Sequence, residues 1–166
     1  MSISPVGSRG VKRGRGEDPC ERPVKRQKAS EIKLRQLLLK KKYIHFIRDG
    51  QKIVEGRLNK KPVSNYQVGE RVRFYYFRDK FDDVVCDITD IKKFASFREM
   101  LEETGVKACI PDVEEDIEEA IKIYNSFPGY AQKVAEVGVV ALYLQVNNAA
   151  RQEYAHRAPN CSKNFC

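Results

Sequence analysis

The chain has 166 residues and a formal net charge of +8, a size that suits one domain with a single core. The charge is uneven: residues 1–42 hold thirteen Lys and Arg against four Asp and Glu, whereas residues 43–166 hold eighteen against nineteen. Five widely spaced cysteines and no run near the ~18 apolar residues of a membrane span exclude a disulfide framework and a membrane protein, so we expect a soluble, intracellular protein.

Residues 1–30 are rich in Gly, Pro, Ser and charge, which predicts a disordered basic arm. Within this arm, two basic clusters separated by eleven residues have the form of a bipartite nuclear localisation signal. The pattern predicts nuclear localisation through an import receptor, and the alternative is a basic arm that binds nucleic acid without any address. The residues of the signal are Lys12, Arg13, Lys25, Arg26 and Lys28.

The next segments alternate between helical and strand patterns. "KLRQLLL" from Lys33 fits either a first strand or the start of a helix, and "KKYIHFIRDG" predicts a short helix that ends at Gly50. "KIVEGRL" from Lys52 has the period of a strand, with Val54, Gly56 and Leu58 on one side and Ile53, Glu55 and Arg57 on the other. "RVRFYYF" and "DDVVCDITDI" predict two further strands.

Two helices follow these strands. Ser96 with Glu99 forms a capping box for a helix that Gly105 ends, and Asp112 with Glu115 forms a second one. "GVVALYLQV" then predicts an apolar strand that closes the sheet, and the polar residues from Asn147 onward predict a loose tail. The order predicts an α+β fold with a small β-barrel and inserted helices: an arm at 1–30, a domain at 31–148 and a flexible tail at 149–166.

Several ordered motifs resemble one known family. "GQKIVEGRL" is similar to the G-x-K-x-x-E-x-R signature of the ASCH domain, the activating-signal-cointegrator homology domain. "QVGERVRF", "FASFREMLEETG" and the segment from "EEAIKIYNSFPGY" to "GVVALYL" are similar to its later landmarks, in order. The resemblance covers about residues 33–146 and implies a PUA-like β-barrel. Two positions depart from the pattern: Glu70 stands where Asp is common, and Pro128 where an aromatic residue is common.

The resemblance implies that Lys52, Glu55 and Arg57 line a cleft beside the barrel that binds single-stranded RNA or a modified nucleotide. There Lys52 has an ammonium free to meet a phosphate or carbonyl, and Glu55 either holds Arg57 or accepts a base amino group. From the residues alone, the simpler interpretation is a solvated strand face with a surface ion pair. The predicted basic rim and stacking surfaces are Lys60, Lys61, Arg71, Arg73, Arg78 and Tyr75 or Tyr76.

The leading hypothesis is a nuclear RNA-binding protein, with a link to transcription coactivation or RNA processing by family analogy alone. One alternative is a hydrolase of acetylated cytidine or RNA that uses Lys52 and Glu55. Small bacterial ASCH-like amidohydrolases use a lysine, a threonine and a glutamate; Lys52 matches the lysine, but Glu55 occupies the threonine's place. The other alternative is a protein-interaction adaptor that uses the acidic helix or the arm. No motif predicts a metal site or a cofactor.

Overall fold

The computed structural model describes Met1 and residues 32–157, and the latter form an α+β fold. The predicted localisation signal lies outside the described residues. The strands are β1 (Leu34–Leu38), β2 (Val54–Leu58), β3 (Arg71–Tyr76), β4 (Asp79–Phe94) and β5 (Val139–Val146). The helices in this range are α1 (Lys41–Arg48), α2 (Phe97–Thr104), α3 (Val106–Cys109), α4 (Ile117–Asn125), α5 (Tyr130–Val137) and α6 (Asn148–Arg157), with a short 3-10 turn at Val63–Asn65.

The five strands form one sheet in the order β1-β3-β4-β5-β2. β1 runs parallel to β3, which settles the open choice at the first apolar run in favour of a strand, and the other pairs are antiparallel. The long β4 pairs with β3 through its first half and with β5 through its second, and its register shifts between Ile88 and Asp90. Such a bulge bends and twists a strand, and the sheet curls into a half-barrel whose two edges are β1 and β2.

Alternating residues of β5 pack into two apolar cores. Val139 and Ala141 face the helices and join a cluster with Met100 of α2 and Tyr124 of α4. The alternate residues of β5, starting at Val140, face the inside of the curl, where they contact α1 and the inner faces of β3 and β4. The inner cluster includes Val140, Leu142, Leu144, Phe74, Val84, Ile44 and Ile47. The sheet is therefore covered on both faces, which explains why β5 is almost uniformly apolar.

The capping prediction is confirmed for α2 and wrong for α4. The Ser96 hydroxyl accepts the backbone N–H of Glu99 at 3.2 Å, and the Glu99 carboxylate accepts the N–H of Ala95, one residue before the cap, at 2.9 Å. Asp112 instead forms an ion pair with Lys42 at 2.6 Å, so its carboxylate does not cap a helix. Asp116 takes that role and accepts the N–H groups of the next two helical residues at 2.9 and 3.1 Å. The helix consequently begins four residues later than the sequence pattern suggested.

The prediction of a loose tail is wrong for residues 148–157, which form α6. Asn147 caps this helix by accepting the N–H of Ala150 at 2.8 Å, and its amide donates to Asp87 at 2.8 Å. Arg151 then forms an ion pair with Asp83 of β4 at 2.7 Å. Polar contacts hold α6 on the sheet, so the apolar periodicity that reveals most helices is missing from its sequence.

Candidate functional site

The turn between α1 and β2 places Lys52 beside the start of the strand. Gly50 has a φ of +75°, a left-handed conformation that favours glycine, and its N–H bonds to the carbonyl of Ile47 at 3.0 Å. The N–H of Lys52 bonds to the carbonyl of Phe46, and that of Ile53 to the carbonyl of Ala108, both at 3.0 Å. These bonds fix the path of the chain as it leaves the helix and enters β2.

Glu55 and Arg57 point to the inside of the curled sheet. In the β2–β5 ladder Glu55 lies opposite Leu142 and Arg57 opposite Val140, and both of those β5 residues belong to the inner core. Paired residues of an antiparallel ladder share a face. The predicted division of β2 into two sides is therefore confirmed, and it brings two charged groups to an inner face.

Lys52, Glu55 and Arg57 form a linked set of charges, which we call the triad. One oxygen of the Glu55 carboxylate, Oε2, lies 3.0 Å from Lys52 Nζ, and the other, Oε1, lies 2.7 Å from Arg57 Nε. The side chains of Lys52 and Glu55 are only 3% and 6% exposed. The interpretation of these residues as a solvated strand face is therefore wrong.

The ammonium group of Lys52 is fully engaged within the protein. In addition to Glu55, Nζ donates to the carbonyl of Val54 at 2.7 Å and to that of Cys109 at 2.5 Å. Three partners match the three N–H groups that a lysine carries. The expectation of a free ammonium is corrected: Lys52 joins the turn, β2 and the end of α3, and it orients Glu55.

Arg57 connects the two edges of the half-barrel. Its Nη2 donates to the carbonyl of Leu38 in β1 at 2.7 Å, while its Nε holds Glu55 in β2. These contacts use two of the five N–H donors of a guanidinium, and 22% of the side chain is exposed. Arg57 is therefore the member of the triad that joins the two edge strands and remains partly exposed.

Glu55 and Arg57 are charged near neutral pH. Burial opposes ionisation of Glu55, but Lys52 and Arg57 outweigh it and hold the pKa of Glu55 below its ordinary value. Burial likewise opposes the charge on Arg57, and Glu55 together with Tyr130 raises the pKa of the guanidinium nevertheless. The site consequently presents a fixed carboxylate, oriented by two cations, in a location with little water.

A cavity of about 260 Å³ opens beside the triad, between the end of β1 and β2. This volume is near the lower end of ligand pockets, which begin at roughly 300 Å³. Six aromatic side chains line it, and Lys40 is an exposed cation on its lining. The described lining residues are Leu38, Leu39, Lys40, Tyr43, Lys52, Glu55, Gly56, Arg57, Tyr76, Phe77, Cys109, Ile110, Tyr124, Phe127 and Tyr130.

Helix packing holds two of these aromatic walls in place. The ring of Phe97 stacks on that of Tyr124, with centroids 4.3 Å apart, and on that of Tyr130 at 5.7 Å. Gly56 allows this approach, because a Cβ there would lie 2.7 Å from Met100 Cε and 2.8 Å from the Tyr124 hydroxyl. The glycine between Glu55 and Arg57 therefore brings α2 and α4 against the strand that carries the triad.

The other residues predicted to bind nucleic acid lie outside the cavity lining. Lys60 and Lys61 are exposed in the loop after β2. Arg73 forms a buried ion pair with Asp83 at 2.6 Å, and its guanidinium lies 5.2 Å from the ring of Tyr75. Of the two tyrosines considered as stacking surfaces, Tyr76 lines the cavity. Tyr76 is thus the one exception that the structure brings to the triad, and the residues placed outside the cavity lining are Lys60, Lys61, Arg71, Arg73, Arg78 and Tyr75.

Sequence reasoning missed Lys40 and most of the aromatic wall. Tyr43 and Tyr124 fall at helical spacing with apolar residues, so their pattern predicts a core face. Both side chains do pack in the core between the sheet and the helices, with Met100 and Ala141. The carbonyls of Leu38 and Cys109 leave no signal in the sequence, because every residue carries a carbonyl.

Two further features are absent from residues 32–157. No group of three or more His, Cys, Asp or Glu side chains in this range is placed to hold a metal ion. None of the helices described for the chain is long and apolar enough to cross a membrane.

Comparisons with known proteins agree with the fold and the signature. Among solved structures, the hypothetical protein PH0355 is 28% identical with a TM-score of 0.61, over 69% of this chain and 99% of that one. Protein PF0455 from Pyrococcus furiosus is 26% identical with a TM-score of 0.56, over 69% and 98%. A search of curated proteins gives no significant match.

The family comparison covers both the triad and the cavity. The model of the ASCH domain matches residues 37–147, which is more than half of the chain. The matched range begins in β1 and ends just after β5, so it contains the whole half-barrel except the first residues of β1. On this match the chain belongs to the ASCH domain family and has its PUA-like fold.

Proposed function

We propose that this protein binds RNA or a modified nucleotide and that one base enters the cavity beside the triad. The observation that carries the proposal is a buried carboxylate, Glu55, held by Lys52 and Arg57 next to an aromatic-lined cavity. Membership of the ASCH family, which is often linked to RNA binding, supports the same class of ligand.

The chemistry of the site suits a nucleobase. Aromatic walls offer stacking surfaces to any base, and single-stranded RNA exposes bases that can be splayed into a pocket. The Glu55 carboxylate accepts amino N–H groups of the base edge, and the remaining donors of Arg57 meet a base carbonyl or a phosphate. Lys40 then provides an exposed cation for the backbone, with Lys60 and Lys61 as further phosphate contacts. The buried pairing of Arg73 favours a structural role for that residue.

Hydrolysis of a nucleoside or RNA is less well supported by the same geometry. All three N–H groups of Lys52 already have partners within the protein, so none is left to point at a substrate. Cys109 is the one cysteine among the described lining residues, and burial raises the pKa of its thiol although Lys52 opposes the shift. Incubation with acetylated cytidine and with RNA tests this alternative, and turnover that Lys52→Ala abolishes would overturn the preference for binding.

The binding experiment separates the cavity from the basic arm. The background is a full-length variant in which Lys12, Arg13, Lys25, Arg26 and Lys28 are replaced by Ala, called the arm-neutral variant. It is titrated with uncharged nucleosides, including acetylated cytidine, and with a single-stranded RNA hexamer across a salt series. Binding of the hexamer at low salt, or of a nucleoside, is expected, and the absence of both refutes the proposal.

A matched pair of lysines then locates the RNA. Lys40→Ala removes an exposed cation on the cavity lining, and we expect weaker hexamer binding with a salt slope lower by about 0.7. Lys93→Ala removes an exposed cation on β4 that is not among the cavity residues, and it serves as the control. Equal effects of the two substitutions would place the RNA away from the cavity.

We also propose that the basic arm directs the protein to the nucleus through an import receptor. The support is the spacing of the two basic clusters. Replacement of Lys25, Arg26 and Lys28 by Ala is expected to leave a fluorescently tagged protein diffuse or cytoplasmic. Continued strong nuclear enrichment of that variant contradicts the proposal. A role in transcription coactivation or RNA processing would follow from the family analogy.

A further inference from the structure

The tip of the β3–β4 hairpin, residues 76–81, exposes two large aromatic side chains, and we call this segment the aromatic hairpin. Phe77 is 61% exposed and Phe81 is 88% exposed. Phenylalanine usually lies in the core, and two such rings on one short turn mark a surface that contacts something.

The backbone of the aromatic hairpin is held by side chains at its base. Arg73 donates to the carbonyl of Lys80, and Arg151 of α6 donates to the carbonyl of Phe81 at 3.3 Å. On the turn itself, the Asp79 carboxylate accepts the N–H groups of Phe81 and Asp82 at 3.1 and 3.3 Å. The exposed rings therefore project from an ordered backbone, which lowers the entropy lost when they contact a ligand.

The aromatic hairpin is continuous with the cavity. Tyr76 and Phe77 both line it, and their rings meet edge to face with centroids 4.9 Å apart. Phe77 thus has one part toward the cavity and a large part toward solvent. A polymer with one unit in the cavity would pass directly over this ring.

The charges on the aromatic hairpin favour an anionic ligand. The Arg78 guanidinium lies 5.2 Å from the centroid of the Phe77 ring, and Lys80 is exposed beside it. Asp79 turns its carboxylate to the backbone. The nearby Asp82 forms ion pairs with Lys41 at 3.3 Å and Arg48 at 2.9 Å, and its carboxylate lies 3.2 Å from His45 Nε2. Cations beside aromatic rings suit the phosphates and bases of a single strand, whereas the centres of protein interfaces are depleted of charge.

We propose that the aromatic hairpin is a second nucleotide subsite, which extends recognition from the base in the cavity to its neighbours in single-stranded RNA. The adjacent base stacks on Phe77, the following base stacks on Phe81, and Arg78 and Lys80 contact the intervening phosphates. This subsite rests on the proposed function, because the cavity sets where the strand begins.

Phe81→Ala in the arm-neutral background tests the subsite, since Phe81 is not a cavity residue. Its ring is almost fully exposed, so the substitution is expected to leave the fold intact. We expect the affinity for the hexamer to fall roughly 5- to 150-fold, as for loss of one stacked base, with nucleoside affinity unchanged. Phe81→Trp is expected to retain hexamer binding. The control Val68→Ala removes an apolar side chain that is 58% exposed outside the hairpin.

The salt dependence of binding tests the phosphate contacts separately. Replacing Arg78 and Lys80 together by Ala is expected to lower the slope of log affinity against log salt by about 1.4, the value for two phosphates of a single strand. An unchanged slope overturns the assignment of these two cations.

The outcomes distinguish the subsite from the cavity. If the hexamer binds and Phe81→Ala leaves its affinity unchanged, the subsite is refuted while the cavity proposal stands. If neither the hexamer nor any nucleoside binds the arm-neutral variant, the proposed function fails and the subsite with it. If Phe81→Ala changes the sedimentation behaviour of the free protein and not the RNA affinity, the hairpin is a contact between copies and the subsite is refuted.

Discussion

Replacement of Glu55 by Gln should destabilise the domain strongly, because it removes the only carboxylate that the described residues place between Lys52 and Arg57. The amide keeps the size of the side chain and one acceptor oxygen. Its NH₂ group, however, points at a hydrogen-bond donor, either Lys52 Nζ or Arg57 Nε, where the carboxylate accepted a hydrogen bond. Lys52 remains 3% exposed, so water cannot replace the lost partner without a rearrangement of the turn.

The expected cost is about 3 kcal/mol, the lower end of the ~3–5 kcal/mol measured when one member of a buried ion pair is removed. The lower end applies because Arg57 is partly exposed and Lys52 keeps its two carbonyl partners. For a domain whose total stability is roughly 5–15 kcal/mol, this is a large fraction. A loss of about 3 kcal/mol corresponds to a fall in melting temperature on the order of 10 °C.

Thermal and urea unfolding, followed by circular dichroism, measure the effect. The matched control is Glu103→Gln, which breaks an exposed pair with Lys92 of 2.6 Å and should leave the melting temperature unchanged. Because the folded-state pKa of Glu55 is depressed, its contribution is present above pH ~4.3 and is lost as the pH falls through the folded value. A Glu55→Gln protein as stable as wild type at pH 7 would refute the claim that the Glu55 carboxylate stabilises the fold through Lys52 and Arg57.

Three further outcomes are expected. Asp82→Asn should lower stability at neutral pH, and the difference from wild type should shrink between pH ~4 and 2. Burial raises the folded pKa of Asp82, but Arg48, His45 and Lys41 outweigh it and depress that pKa to about 2. A stability difference that persists at pH 2 contradicts this. Gly56→Ala should cost about 1–3 kcal/mol in urea unfolding by overpacking against the Met100 side chain and a tyrosine hydroxyl, and unchanged stability would contradict the close approach. Cys86 should resist iodoacetamide at pH 8 until denaturant is added, because burial raises the pKa of its thiol to about 12; peptide mass spectrometry checks this, and modification of the native protein would contradict it.

The sequence carried enough to predict the fold class and the order of most elements. Alternation identified β2, and the capping pair Ser96 and Glu99 identified α2, because both signals are local. The N-cap of α4 was misplaced, since Asp112 and Asp116 are equally good capping residues and a distant contact with Lys42 decides between them. Helix α6 escaped prediction because ion pairs, and not apolar periodicity, hold it in place.

The candidate site was predictable in its members and not in their environment. The signature singled out Lys52, Glu55 and Arg57, but their burial depends on the curl of the sheet and on the inner face of β5, which are long-range properties. The use of Lys52 by the carbonyls of Val54 and Cys109 depends on where α3 ends. Such contacts are made after the fold closes, so no spacing in the sequence reports them.

The bridge from Arg57 to Leu38 across the open side of the half-barrel has a consequence for how this site can diversify. The same guanidinium that joins the two edge strands faces the cavity, so a substitution there alters folding and recognition together. Substitution of Arg57 is therefore a poor way to change which ligand the cavity prefers. Changes of preference are better tolerated at Phe127 or on the exposed hairpin, where a side chain can vary without loosening the closure of the sheet.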